Sequence, residues 1–175
     1  SITNAIAQFI LSLVAGNSKY DKWVRGEQIL TPEELNGCDI FRDLDRGDCI
    51  HCHAENGLFT DFSFHNNGMD LSFDDLGLGA VTGNSTDEGK FKVPSLRNLE
   101  FSAPYMHDGR FKTLDEVINF YSEGVNPDSP NISALMEHKD QGGALLTAQE
   151  KADLKAFLLT LSDYDFITNP NHQEP

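Results

Sequence analysis

The sequence has no long hydrophobic run and few basic residues. No apolar stretch approaches the roughly 20 residues that a transmembrane helix needs, so no membrane span is predicted. Lysine and arginine together number 13 against 28 acidic residues, which gives a formal net charge of -15. This charge disfavours nucleic acid and anionic membranes as partners. It favours a protein partner with a basic face, or it serves solubility alone.

The first residues lack the basic start and the cleavage pattern of a signal peptide. The 175 residues suit one domain, predicted over 1–175, and are enough to bury a core. The hydrophobic fraction of 39% is somewhat low for such a domain. A large apolar cofactor would compensate for it.

Cysteine is scarce, and its placement is informative. Two of the three cysteines lie in Cys49-Ile50-His51-Cys52-His53. This C-x-x-C-H spacing is typical of c-type haem attachment, with Cys49 and Cys52 as thioether anchors and His53 as the proximal iron ligand. Cys38 is then left over and is interpreted as a small buried apolar residue.

Two other interpretations of the motif are a zinc site and a redox-active cysteine pair. Zinc needs about four ligands, and Cys38 does not sit at a suitable spacing. A thioredoxin-like pair expects a βαβ context, which the sequence does not indicate. The motif therefore favours one covalent haem c. Of the remaining histidines, His51, His65, His138 and His172 are expected at the surface.

Helical patterns account for most of the rest of the chain. Apolar residues recur at helical spacing over residues 2 to 14, and a short segment follows Asn17. Capping boxes at Thr31, Thr113 and Thr147 each predict a helix start. The inward residues expected after these starts are Leu35, Cys38 and Phe41, then Leu114, Val117 and Tyr121, then Leu154, Phe157, Leu158 and Leu161.

Residues 55 to 92 are rich in Gly, Asn, Asp and Ser and predict a long loop region. Its phenylalanines, at positions 59, 62, 64 and 73, are candidate anchors onto the core or the haem. The predicted fold class is all-α: a cytochrome c-like helical domain whose long loops wrap one covalently bound haem.

Three segments resemble the bacterial di-haem cytochrome c peroxidase and MauG superfamily. They are residues 91–111, which contain Ala103-Pro-Tyr-Met-His-Asp-Gly109, and residues 113–121 and 146–158. Residues 7–10 and 20–26 fit less specifically. The resemblance covers almost the whole chain and matches only the C-terminal haem domain of the family.

The resemblance implies a division of labour between two haem domains. In the family, an N-terminal haem reacts with peroxide and a C-terminal haem transfers electrons. This chain has a single C-x-x-C-H, so the peroxidatic haem domain is absent from it. The implied function is an electron-transfer domain with little peroxidase activity by itself, and no catalytic residue is assigned. The alternatives are a stand-alone monohaem carrier and a MauG-like oxidase of a protein or small organic substrate.

The resemblance also suggests the second iron ligand. Typical peroxidases place a methionine seventeen residues after the proline that corresponds to Pro104. That position here is Tyr121, and MauG resembles this pattern in using a tyrosine. Met106 is the competing candidate, although the family often has phenylalanine there. The alternative for Tyr121 is a core tyrosine with a satisfied hydroxyl.

Other roles carry over from the resemblance. Arg97 is expected to pair with a haem propionate, and His107 to hydrogen-bond near the haem edge. Ser102 and Pro104 match residues whose carbonyls bind a calcium ion between the two domains. The asparagine ligand of that calcium site lies in the family's N-terminal domain, which this chain lacks. Trp23 does not match the tryptophan that the family places between its haems.

The resemblance implies partners and a compartment as well. The expected electron donor is a small cytochrome c or a cupredoxin, and the expected domain partner is the N-terminal peroxidatic haem domain. A homodimer is compatible with the family. Covalent haem attachment implies a periplasmic or otherwise exported protein.

Overall fold

The computed structural model describes residues 1–172, and this part of the chain is mainly helical. It contains α1 (Ile2–Ser12), α2 (Lys19–Val24), α3 (Pro32–Arg42), α4 (Leu78–Thr82), α5 (Leu114–Glu123), α6 (Ala148–Leu159) and α7 (Tyr164–Ile167). Short 3₁₀ turns at Cys49–His51, Ser85–Asp87, Leu99–Phe101, Lys139–Gln141 and Pro170–His172 supplement them.

One small antiparallel ladder departs from the all-α prediction. Strands β1 (Phe64–His65) and β2 (Phe91–Lys92) pair with Phe64 opposite Lys92. Backbone N–H and C=O groups need partners when a loop packs down, and two extended loop segments supply them to each other here. The strands are too short to show an alternating pattern in the sequence.

The three predicted capping boxes are all confirmed. At Thr31, Thr113 and Thr147 the hydroxyl accepts a hydrogen bond from the backbone N–H three residues on, and the glutamate there accepts one from the cap residue. A fourth box, from Ser18 and Asp21, opens α2. Sequence analysis missed it because aspartate stands where glutamate usually completes the pattern.

Helices α3 and α6 pack directly against each other and form the centre of the core. Gly37 lies at their contact, where a β-carbon would collide with the backbone carbonyl of Asp153. Cys38 and Phe41 face inward as predicted. The prediction is wrong for Leu35, which is 41% exposed, and Ile40, which was not predicted, is fully buried. The apolar residues predicted for α6, including Leu161 just after it, are all buried.

An aromatic cluster extends this core toward the C-x-x-C-H segment. Phe59 is fully buried and lies between the rings of Tyr20 and Phe41, at centroid distances of 5.0 and 6.0 Å. The predicted anchoring role is therefore confirmed for Phe59. Phe62 and Phe64 are exposed and do not anchor the loop onto the core, while their contact with a haem stays a prediction.

Helix α1 has no buried residue. Its apolar residues, among them Ile6, Phe9 and Ile10, lie at the surface. The predicted helix is therefore present, but its apolar face does not contribute to the core. Within residues 1–172, no helix combines the length and hydropathy needed to cross a membrane.

Candidate haem site

The C-x-x-C-H segment is a tight turn held against the end of α3. Asp48 adopts a left-handed conformation with φ +50°, and the 3₁₀ turn Cys49–His51 follows it. The N–H of Gly47 donates to the Ile40 carbonyl of α3 at 3.1 Å. The N–H of Asp61 donates to the Cys52 carbonyl at 2.8 Å. These bonds fix both cysteines and His53 on one compact turn.

His53 is oriented for metal binding. Its Nδ1 lies 2.9 Å from the carbonyl oxygen of Phe59, which can only accept, so Nδ1 carries the proton. The lone pair is thereby left on Nε2, as in histidines that bind metals through that atom. Burial lowers the pKa of His53, which keeps the imidazole neutral. This geometry suits an iron ligand.

The two motif thiols are unpaired and largely enclosed. Burial raises the pKa of Cys49 to about 12 and that of Cys52 to about 11. Within residues 1–172, no group of three or more His, Cys, Asp or Glu side chains could hold a metal ion. The donor set fits a thioether-linked haem better than zinc.

Tyr121 and Met106, the two candidates for the second ligand, converge on Asn67. The Nδ2 of Asn67 donates to the Tyr121 hydroxyl at 3.2 Å and lies 3.8 Å from the Met106 sulfur. Burial raises the pKa of Tyr121 to about 12, and the hydrogen bond from Asn67 opposes this rise. Tyr121 is still 36% exposed, so its ring is not sealed in the core.

This convergence was not visible in the sequence. Asn67 lies 54 residues before Tyr121 in a loop without a recognisable motif. Met106 has φ +70°, a conformation that non-glycine residues rarely adopt, and sequence spacing does not reveal it. Only the path of the loop brings these side chains together.

Arg97 has a protein partner in this structure. Its two terminal nitrogens donate to the carboxylate of Asp21 at 2.9 and 2.8 Å, and its Nε donates to the Gly57 carbonyl. Its guanidinium also lies over the Phe59 ring, 5.9 Å from the centroid. Arg97 thus ties α2 to the loop that follows His53, while its contact with a haem propionate stays a prediction.

The Ala103–Gly109 loop is exposed, and its predicted contacts stay predictions. The His107 ring stacks on Phe91 with a centroid distance of 3.9 Å and an interplanar angle of 11°. Ser102 and Pro104 lie at the surface, and the Ala103–Pro104 peptide is cis. The Ser102 hydroxyl donates to the Leu99 carbonyl at 2.9 Å.

The other histidines are less exposed than predicted. His51 lies 2.7 Å from the buried carboxylate of Asp48. His65 lies 2.7 Å from Asp61 and 3.1 Å from the Ser133 hydroxyl. His138 and His172 are half-buried, each with a ring nitrogen close to a backbone carbonyl. All four residues are partly exposed, so they lie at the surface, with polar loop neighbours covering part of each ring.

Comparison with known proteins gives the family. No family model matches the chain. A methylamine utilization protein MauG from Methylophilus methylotrophus is 37% identical over 164 residues, which cover 91% of this chain and 46% of that protein. A cytochrome c551 peroxidase from Nitrosomonas europaea is 39% identical over 123 residues, which cover 67% of this chain and 35% of that protein.

This chain belongs to the bacterial di-haem cytochrome c peroxidase and MauG superfamily. The resemblance seen in the sequence is thereby confirmed, and the share of these relatives that the chain covers is consistent with a match to their C-terminal domain. The fold agrees: the crystal structure of a MauG-like protein associated with microbial copper homeostasis superposes with a TM-score of 0.78 and 39% identity. That match covers 91% of this chain and 52% of the solved one. The chain spans about half the length of the MauG relatives it matches.

Proposed function

We propose that this chain is the electron-transfer haem c domain of a di-haem peroxidase-type oxidoreductase. Cys49 and Cys52 hold the haem covalently, His53 binds one face of the iron, and Tyr121 binds the other. A small cytochrome c or cupredoxin supplies electrons, which pass to a peroxidatic haem in an N-terminal domain. The protein is exported to the periplasm, where haem attachment occurs.

The observation that carries the proposal is the geometry of His53. A histidine that donates through Nδ1 to a carbonyl and remains neutral is prepared to bind iron through Nε2. It follows two cysteines on the same rigid turn. Tyr121 supplies a hard oxygen donor, and its hydroxyl accepts a hydrogen bond from Asn67 Nδ2 at 3.2 Å.

The haem would supply one-electron chemistry, and the protein sets its properties. A phenolate ligand favours ferric iron, so the midpoint potential is expected to be low. A haem held by both His53 and Tyr121 would offer hydrogen peroxide no open site on its iron. The isolated domain should therefore turn over peroxide slowly.

The test is expression with export and c-type haem maturation. We expect a mass increase of one haem, a c-type pyridine haemochrome, a ferric spectrum of His/Tyr ligation, and slow peroxide turnover. Cys49→Ser with Cys52→Ser should abolish the covalent link. Rapid peroxide turnover by the loaded chain, or a ferric spectrum without an oxygen ligand, would contradict the proposal.

A MauG-like oxidase is the second candidate. Tyr121 favours it, as does the 37% identity to a protein named for methylamine utilization. A stand-alone carrier is the third. The complete gene separates it from the others, because a second C-x-x-C-H upstream excludes a monohaem carrier.

A further inference from the structure

The side-chain amide of Asn67 lies between the two side chains that compete for the iron. Its Nδ2 donates to the Tyr121 hydroxyl at 3.2 Å and reaches the Met106 sulfur at 3.8 Å. We infer that Asn67 is a positioning residue that selects Tyr121 over Met106 as the second ligand. This inference rests on the proposed haem site and adds a residue that decides between the two candidate ligands.

The backbone on both sides of Asn67 is fixed. Asn66 is 3% exposed, and its Nδ2 donates to the Pro130 carbonyl at 2.7 Å and to the Ser129 hydroxyl at 3.0 Å. The Asn66 Oδ1 accepts the N–H of Gly68 at 2.9 Å, and the Gly68 carbonyl accepts the N–H of Asn126 at 2.8 Å. Because its neighbours are fixed in this way, the Asn67 amide is held in one position relative to the two candidate ligands.

Glycine is required at position 68 for this arrangement. Its φ is +78°, and a β-carbon there would lie 2.7 Å from Ile132 Cδ1 and 2.9 Å from Val125 Cγ1. The chain after Asn67 therefore packs closely onto the segments that follow α5, the helix that carries Tyr121. This packing places the amide opposite the Tyr121 hydroxyl.

The Tyr121 oxygen and the Met106 sulfur differ as hydrogen-bond acceptors, and this difference indicates which ligand Asn67 favours. A phenolate oxygen accepts a strong, charge-assisted hydrogen bond, so an amide N–H stabilises the form of Tyr121 that binds iron. A thioether is a weak acceptor. An N–H directed at the Met106 sulfur engages one of its two lone pairs and adds little to the stability of either form. The difference in acceptor strength thus favours oxygen ligation.

The decisive variant is Asn67→Leu in the haem-loaded chain, which removes the donor and keeps a similar volume. We expect a sulfur-ligated component in the ferric absorption and magnetic-resonance spectra. The ferric-to-ferrous ratio at a fixed potential should fall at least tenfold, which corresponds to a midpoint about 59 mV higher for one electron. Asn67→Gln keeps an amide donor and should remain close to the wild-type spectrum.

Two controls separate ligand selection from general disturbance. In Asn67→Leu with Met106→Leu, the sulfur-ligated component and the rise in midpoint should both disappear. Asn119→Leu makes the same change at an exposed site on α5 and should leave the ferric spectrum unchanged.

The inference is overturned if Asn67→Leu keeps the wild-type spectrum and midpoint. It is also overturned if the midpoint shift persists after Met106→Leu, because packing rather than ligand choice would then be the cause. A wild-type spectrum with sulfur ligation would overturn both this inference and the Tyr121 assignment. That result is read from the wild-type protein alone, so the two failures are distinguishable.

Discussion

At the scale of single residues, Phe59 connects the core to His53, the proposed iron ligand. Its buried ring packs between Tyr20 and Phe41, and its carbonyl accepts the proton of His53 Nδ1. The φ of Phe59 is +53°, which directs ring and carbonyl to different neighbours. The orientation of the imidazole therefore depends on packing in the aromatic core.

Phe59→Ala should lower the free energy of unfolding and should also make the orientation of the His53 imidazole less well fixed. Removal of a fully buried phenylalanine costs about 3–5 kcal/mol. Urea unfolding measures that loss, and the ferric spectrum of the haem-loaded protein reports whether His53 still binds the iron. Phe62→Ala removes an exposed ring from the same loop and should change the free energy by less than about 1 kcal/mol. Equal losses in the two variants would show that Phe59 has no special role.

The Asp21–Arg97 ion pair makes stability depend on pH. Burial raises the pKa of the Asp21 carboxyl, but hydrogen bonds from Arg97 and Ser18 outweigh it, and the pKa falls below the usual 3.8. A lowered folded-state pKa contributes stability above the unfolded-state value, and this contribution is lost as pH falls through the folded-state value.

Asp21→Asn should therefore destabilise the protein most between pH 5 and 7. Both side chains are about nine-tenths buried, so loss of one partner is expected to cost about 3 kcal/mol. The difference in the free energy of unfolding between this variant and the wild type should shrink as pH falls below 3.8. Urea unfolding from pH 3 to 7 measures it. Glu27→Gln, in an exposed pair with Arg25, should have little effect at any of these pH values.

At the scale of secondary-structure elements, the α3–α6 contact depends on Gly37. The close approach of the two helices leaves no space for a β-carbon there, because the Asp153 backbone and the Phe157 Cβ occupy it. The buried side chains Cys38, Phe41 and Phe157 come from the same two helices. The haem-motif turn is attached to the end of α3, so this contact also positions the motif.

Gly37→Ala should lower stability even though alanine is the better helix former. The added methyl group pushes backbone against backbone, and such overpacking costs about 1–3 kcal/mol. Gly16→Ala is the matched control, because its β-carbon would meet nothing within 4 Å. Thermal unfolding of both variants gives the comparison. A stabilised Gly37→Ala protein would show that α3 and α6 are not packed as described.

The sequence predicted elements better than it predicted contacts between them. Capping boxes and helical periodicity located α3, α5 and α6, because both signals are local. Asn67 was missed, since its contact with Tyr121 depends on the path of a loop that has no periodic pattern. Leu35 was assigned inward because spacing gives one face of a helix, whereas the partner helix covers only part of that face.

At the scale of the whole molecule, the dominant feature is the excess of negative charge. The net charge of -15 creates a field that attracts a basic protein and repels an acidic one. Such attraction acts mainly on the association rate and is screened by salt, with a Debye length of about 10 Å at 0.1 M ionic strength. An electron donor with a basic face would use this field directly.

Reduction of the haem-loaded domain by a basic cytochrome c should therefore slow as ionic strength rises from 0.01 to 0.5 M. Steered association changes rates by roughly 10- to 1,000-fold, and most of that gain should be lost over this range. Stopped-flow absorption measures the second-order rate constant. An anionic small-molecule reductant is the control: salt should speed its reaction, because screening relieves repulsion. If both rates are insensitive to salt, the acidic surface does not steer electron donors and serves solubility alone.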